Sequence, residues 1–277
     1  MSVQRILVPT DFSIQAEYAA EVAADIARKN NAELYLLHAM QIPVYESNTS
    51  IADYQNMPEA IFFLKLARQK FEEFRAKPFF KDVNLKEVIQ MENTYELIVG
   101  NAEKHNIDLI VMGSKGSTGL NDVLIGSNTE KVIRRSKCPV LTVKSKMDGF
   151  NPQSVAFFSS FATEYQGVFK KALDVLAGFN VNFHFVHVIT PRNFESSNTT
   201  LSRMEDFKSH FNRPEIQIHI QNAETIEEGA FEFGERIPVD LRVLGTHGRT
   251  GITHMMFGSI TEDIANQSKL PVLSIRI

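Results

Sequence analysis

Residues 108–143 read "DLIVMGSKGSTGLNDVLIGSNTEKVIRRSKCPVLTV", and residues 240–275 read "DLRVLGTHGRTGITHMMFGSITEDIANQSKLPVLSI". At a shift of 132 residues, 16 of these 36 positions are identical, and Gly113, Gly116 and Gly126 fall on Gly245, Gly248 and Gly258. Self-similarity at a fixed shift marks a duplicated unit. The upstream parts align at a shift of 149, which sets "LYLLHAM" (Leu34–Met40) on "FHFVHVI" (Phe183–Ile189) and His38 on His187. The first copy therefore holds 17 more residues, in or beside "YESNTSIADYQNMPEAIFFLKLARQKFEEF". Two copies in 277 residues fit two domains of ordinary size, expected at 1–146 and 152–277 and joined through "KSKMDGFNPQ".

Each copy alternates short β-rich runs with amphipathic stretches. The first runs "RILVP", "SIQAEYAAEVAADIARKN", "AELYLLHAM", "AIFFLKLARQKFEEFRA", "LKEVIQM", "TYELIVGNAEKHN", "IDLIVMG", "NTEKVIRRS" and "PVLTVK". The second runs "VAFFSS", "GVFKKALDVLAGF", "VNFHFVHVI", "EIQIHIQ", "TIEEGAFEFGERI", "DLRVLG", "ITEDIANQS" and "PVLSIRI". Strand–helix alternation predicts βαβ crossovers and two tandem Rossmann-like, doubly wound α/β domains, each with a mainly parallel five-stranded sheet. In such sheets ligands sit at the carboxyl ends of the strands, where strand order reverses. The glycine loops leave the strands "DLIVM" and "DLRVL" at that end.

The bulk properties exclude several classes. A hydrophobic fraction of 43% supports packed cores, and a net charge of −4 offers no footprint for a nucleic-acid partner. A single cysteine, Cys138, rules out an internal disulfide and a cysteine-based zinc site. No apolar run approaches membrane-spanning length, and the run after Arg5 is too short for a signal-peptide core. A soluble cytoplasmic protein without a membrane partner is the simplest expectation.

The loop chemistry leaves two readings open. Glycines at Gly113 and Gly126 permit positive φ and let backbone amides come close to an anion, and a helix starting near Ser127 offers unpaired N–H groups to phosphate oxygens. Yet Ser127–Glu130 and Ser259–Glu262 also fit the S-x-x-E capping box, which needs no ligand. Gly119 and Gly251 need only shape a turn. Neither the P-loop lysine nor the G-x-G-x-x-G of dinucleotide folds is present.

With "RILVPTDFS", "LLHAM" and the long G-x2-G-x9-G-[ST] motif in the first copy, and "FVHVI" and the same motif in the second, the chain resembles the universal stress protein family over nearly its whole length. The resemblance implies a Rossmann-like fold, a role in stress survival, and a choice between members that bind ATP and members that do not. By position, Asp11 then takes the acidic role beside the adenosine, with Pro9 and Thr10 shaping the turn beneath the base. Ala39 meets the adenine through its backbone and Met112 packs near it. Gly113, Ser114, Gly116, Gly126, Ser127 and Asn128 surround ribose and phosphates, the ligand being ATP, ADP or AMP, with magnesium as a companion ion. In the second copy Ser160 replaces Asp11 and Phe158 replaces Pro9, while Gly245, Gly248, Gly258 and Ser259 persist. Phe158 and Phe161 are expected to crowd that base pocket. The second site is expected to bind weakly, to take another phosphate ligand, or to stay empty.

Other residues carry less. Lys115 and His247 sit in the loops as candidate phosphate neighbours, and His254 lies seven residues beyond His247, without a carboxylate to complete a metal set. His38 and His187 read as buried, hydrogen-bonded residues, and Cys138, replaced by Leu270 in the other copy, as a packing residue. No nucleophile–histidine–acid arrangement is visible, so no catalytic residue is assigned. The terminal strands "PVLTVK" and "PVLSIRI" are expected at sheet edges. There the resemblance implies antiparallel pairing, inside the chain as a pseudo-dimer or between chains as a homodimer. The alternative function is a scaffold that acts through protein partners, its glycine loops serving as helix caps.

Overall fold

The computed structural model describes residues 2–40, 58–91, 94–114, 126–246, 264–265 and 267–277. The first half runs β1 (Arg5–Pro9), α1 (Ile14–Asn30), β2 (Glu33–Met40), α2 (Pro58–Arg75), β3 (Asn84–Met91), α3 (Thr94–Lys104), β4 (Leu109–Gly113), α4 (Ser127–Arg135) and β5 (Val140–Val143). The second runs β6 (Ser154–Phe158), α5 (Gln166–Val175), β7 (Asn182–Ile189), α6 (Ser197–Ser209), β8 (Gln217–Asn222), α7 (Ile226–Arg236), β9 (Leu241–Thr246) and β10 (Val272–Arg276). The sequence reading had no counterpart for α6. Its segment is mostly polar, and its buried Thr200, Met204 and Phe207 are too sparse a stripe to stand out.

The local logic is visible in α1. Ser13 caps it by accepting the Ala16 N–H, and Asn31, in the left-handed region, ends it. Its buried face is built from Ala16, Ala19, Ala20, Ala23, Ala24 and Ala27, small side chains that let the helix approach the sheet closely. The turn into it places Phe12 at φ 62, and its copy Phe161 sits at φ 60. A phenylalanine in that region is strained by about 1–2 kcal/mol. In both copies the hydroxyl two residues earlier holds it: Thr10 Oγ1 accepts the Phe12 N–H and Ser159 Oγ the Phe161 N–H.

Each half contributes five strands, but they form one ten-stranded sheet, ordered β3-β2-β1-β4-β5-β10-β9-β6-β7-β8. Every neighbouring pair is parallel except β5 and β10, which are antiparallel. The terminal strands, expected at edges, are the edges of their own halves and lie inside the joint sheet. Their register pairs Thr142 with Val272, Leu141 with Leu273 and Val140 with Ser274. In each half the β1-type strand sits between β2- and β4-type neighbours, so strand order reverses there.

Repeated aspartates fix the opposite end of the strands. Asp108 Oδ2 accepts the N–H groups of Gln4 and Arg5, and Asp240 Oδ2 accepts those of Gln153 and Ser154. The joining segment, polar in sequence, is anchored: Phe150 is buried edge-to-face against Phe179, and its N–H donates to Asp25 over 2.7 Å.

Candidate functional site

At the carboxyl edge of the first half, three strand ends and one helix start converge. Thr10, just beyond β1, is buried. Its N–H donates to the Leu37 carbonyl and its own carbonyl accepts His38 Nδ1–H at 2.8 Å. That bond assigns the proton to Nδ1 and leaves Nε2 with its lone pair. Burial lowers the His38 pKa, so the ring is neutral near pH 7. Asp11 is exposed, and its Oδ1 accepts the Ser13 N–H at 3.0 Å, bracing the start of α1. Ala39, on β2, packs partly against the cluster that also buries Met112. Pro9 closes β1 opposite Leu37.

Gly113 ends β4, and the structure corrects the reason for a glycine there. Its backbone is not in the positive-φ region. A Cβ at this position would stand 2.9 Å from the Gln15 carbonyl oxygen, so the glycine admits the first turn of α1 against the end of β4. Ser114 follows, buried, and its carbonyl accepts the Gly126 N–H at 2.7 Å. This bond brings the two ends of the glycine loop together. Lys115–Ile125, with Gly116 and Gly119, lie outside the described residues.

Gly126 also differs from expectation. It is the N-cap of α4 at φ −67 and ψ 145, a conformation open to any residue, and it has no side chain to cap the helix. Ser127 is the first helical residue, so Ser127–Glu130 does not form the capping box; Glu130 pairs with Arg134 instead. Thr129 Oγ1 turns back to the Gly113 carbonyl at 3.1 Å. The first-turn N–H groups of a helix have no intrahelical partner and carry the positive end of its dipole. Here that end, with Ser127 and Asn128, adjoins the end of β4.

The second half keeps the frame and fills it differently. His187 Nδ1 donates to the Ser159 carbonyl at 2.8 Å, the copy of the His38 bond, and burial likewise lowers its pKa. Phe158, Ser160, Tyr165, His187, Asn193, Leu244 and Gly245 line a pocket of about 40 Å³. One water needs about 10–15 Å³, so this space is on the scale of a few waters. Tyr165 closes on Gly245: a Cβ there would lie 2.7 Å from its ring, and burial pushes its phenol up to about 12. Phe158 lines the pocket as expected. Phe161 does not, because its backbone turn sends it to the opposite face, among Phe157, Phe185 and Phe207. Arg203 from α6 donates to the carbonyl of the lining residue Ser160 at 2.8 Å and pairs with Glu195, whose carboxyl its hydrogen bonds hold down to about 2. Gly248, His247, Gly251, His254, Gly258, Ser259 and Glu262 lie outside the described residues.

The universal stress protein family model matches residues 2–144 and again 161–276. The chain belongs to the universal stress protein family. The universal stress protein MJ0577 of Methanocaldococcus jannaschii is 32% identical over 156 residues, covering 52% of this chain and 96% of its own length. YxiE of Bacillus subtilis, also a universal stress protein, is 29% identical over 146 residues, 50% of this chain and 98% of its own. A universal stress protein from Archaeoglobus fulgidus DSM 4304 matches the whole fold, covering 99% of this chain and 97% of its own with TM-score 0.69 at 21% identity. Both halves are thus universal stress protein domains on a Rossmann-like fold.

The repeat pattern alone does not single out Tyr165, Asn193, Glu195 and Arg203. At the shift of 149 Tyr165 and Asn193 fall on Ala16 and Val44, whereas Glu195 falls on Glu46. The available signal was "TPRN" after "FHFVHVI", a turn sequence where the first copy has "QIPV". Among the described residues, no group of three His, Cys, Asp or Glu is placed to hold a metal, and no helix is long and apolar enough to cross a membrane.

Proposed function

We propose that the first half, residues 1–146, binds an adenine nucleotide at the carboxyl ends of β1, β2 and β4, and that the chain acts in stress response as a sensor or regulator. The observation that carries the reading is the start of α4. Its cap is a bare glycine, its own S-x-x-E does not close on it, and it adjoins the end of β4, the strand that pairs with β1. A triphosphate satisfies such N–H groups and the helix dipole together.

In this reading Asp11 accepts from the ribose or base, the Ala39 backbone meets the base edge, and Pro9 and Thr10 shape the floor. Met112 packs beneath, while Gly113, Ser114, Gly116, Gly126, Ser127 and Asn128 surround the phosphates. Magnesium would enter on the phosphate oxygens, since among the described residues no cluster of protein ligands waits for it. The second half, residues 152–277, with Gly245, Gly248, Gly258 and Ser259, serves as structural partner, so that the two halves form an internal pseudo-dimer through β5 and β10. A scaffold role without nucleotide is the second reading, favoured by the exposed Ile61, Phe62 and Phe63 of α2.

Titration with ATP tests the first reading. The wild type is expected to bind saturably, and Asp11→Ala to weaken binding by roughly tenfold or more, the effect of one charge-assisted hydrogen bond. Absence of saturable binding in the wild type overturns the nucleotide reading and leaves the scaffold.

A further inference from the structure

The strand β7 outlasts its neighbour. β6 ends at Phe158, and the last bond across that edge runs from the Ser159 N–H to the Val186 carbonyl at 3.3 Å. Along one edge of a strand the groups repeat every two residues, so beyond the Val188 N–H the next acceptor on this side is the Val188 carbonyl and the donor after it the Thr190 N–H. Neither meets a strand.

Both are taken by one side chain. Thr190-Pro191-Arg192-Asn193 forms a tight turn closed by the Asn193 N–H on the Thr190 carbonyl at 3.2 Å, with proline at the position whose φ it presets. The turn folds Asn193 back over the strand end. Its Nδ2 donates to the Val188 carbonyl at 2.9 Å, and its Oδ1 accepts the Thr190 N–H at 2.5 Å and the Thr190 hydroxyl at 2.8 Å. Two donors on one side and a carbonyl on the other allow a single orientation of the amide.

A carboxamide and the amino edge of adenine carry the same pair, an N–H donor beside an acceptor. In the first half the Thr10 N–H meets the Leu37 carbonyl at the equivalent step, so the next acceptor on that edge is the Ala39 carbonyl. At the shift of 149, Asn193 falls on Val44, a side chain with no hydrogen-bonding group.

We infer that Asn193 is a built-in ligand: its carboxamide occupies the base-recognising edge of the second half and, with Tyr165 closed over Gly245, keeps adenine nucleotide out of that half. The inference rests on the nucleotide reading of the first half. It makes Asn193 a specificity determinant of the whole chain, which takes nucleotide on one side only.

Equilibrium dialysis with labelled ATP counts nucleotide per full-length chain in the wild type, Asn193→Ala and Asn193→Gly, each also combined with Asp11→Ala. Glycine suits the last position of such a turn, so Asn193→Gly preserves the backbone. The wild type is expected to take one ATP, and either Asn193 variant to gain a second, weaker site that survives Asp11→Ala. Two ATP in the wild type, or one in folded Asn193 variants, overturns the inference. A wild type that takes none sinks the nucleotide reading, and the inference resting on it falls too. If both variants unfold, the Asn193 side-chain amide protons decide in the wild type by NMR. Slow exchange with solvent supports the built-in ligand, and exchange at the rate of an exposed asparagine overturns it.

Discussion

Leu141 on β5 stands opposite Leu273 on β10, and Leu273 is its own copy at the shift of 132 residues. The flanking pairs, Val140 with Ser274 and Thr142 with Val272, are exchanged about this point, as residues are across a two-fold interface between identical subunits. Both leucines are fully buried. Leu141→Ala and Leu273→Ala should each cost about 2–5 kcal/mol, the range for truncating a buried leucine. Because the side chains are neighbours, the double variant should lose measurably more or less than the sum. Urea unfolding midpoints check both statements.

Gly113→Ala should destabilise the first half by about 1–3 kcal/mol, as overpacking does, since the added carbon meets the Gln15 backbone oxygen rather than a movable side chain. Relief requires α1 to move away from β4. The same substitution should therefore weaken ATP binding along with lowering the melting temperature, and unchanged binding would separate the glycine from the site.

Ser160→Asp restores to the second half the acid that Asp11 supplies in the first. By itself it should add no nucleotide, because Asn193 still holds the strand edge. Combined with Asn193→Gly it should bind more tightly than Asn193→Gly alone. Dialysis stoichiometry distinguishes the cases.

Acid should act in two windows. Glu195 is held down to about 2 from 4.5 by the Arg203 hydrogen bonds. The unfolded chain therefore takes up this proton first, and the stabilisation, complete above about pH 4.5, is lost as pH falls towards 2. Glu195→Gln should flatten that part of a melting-temperature profile. His38 and His187 are lowered from 6.5 by burial, so they stay neutral in the fold while the unfolded chain binds protons. Stability from them is constant above that range and declines as pH drops below about 6.5. His187→Gln should flatten this second slope.

Phe150→Ala should cost about 3–5 kcal/mol despite lying in the joining segment, as loss of a buried aromatic does, because the ring is held against Phe179 and the backbone against Asp25. A value near zero by chemical denaturation would mean that the segment is a passive tether.

Most of the fold was legible because strands such as "RILVP" and helices such as "SIQAEYAAEVAADIARKN" carry their own periodicity and caps. α6 was not, since its buried stripe is only Thr200, Met204 and Phe207. The candidate site of the first half rests on residues that coincide in sequence, Asp11 and the glycine motif. The reason for Gly113 was not legible there, because it depends on Gln15, a contact across the fold. The capping-box reading of Ser127–Glu130, one of the two left open, failed by one position: the helix begins at Ser127 instead of after it. Asn193 was invisible for a related reason, its meaning arising from an open strand edge that exists only once β6 stops short of β7.

The leucine pair at the centre of the sheet also sets how the two halves are free to change. A dimer of identical chains must repeat every substitution on both sides of its axis. Here the partner is covalently supplied, so each molecule holds one half of each kind in fixed ratio. A change such as Asn193 for valine, or Ser160 for aspartate, can alter one side without touching the other. The join at Leu141 and Leu273 thereby turns a symmetric architecture into one that can divide labour.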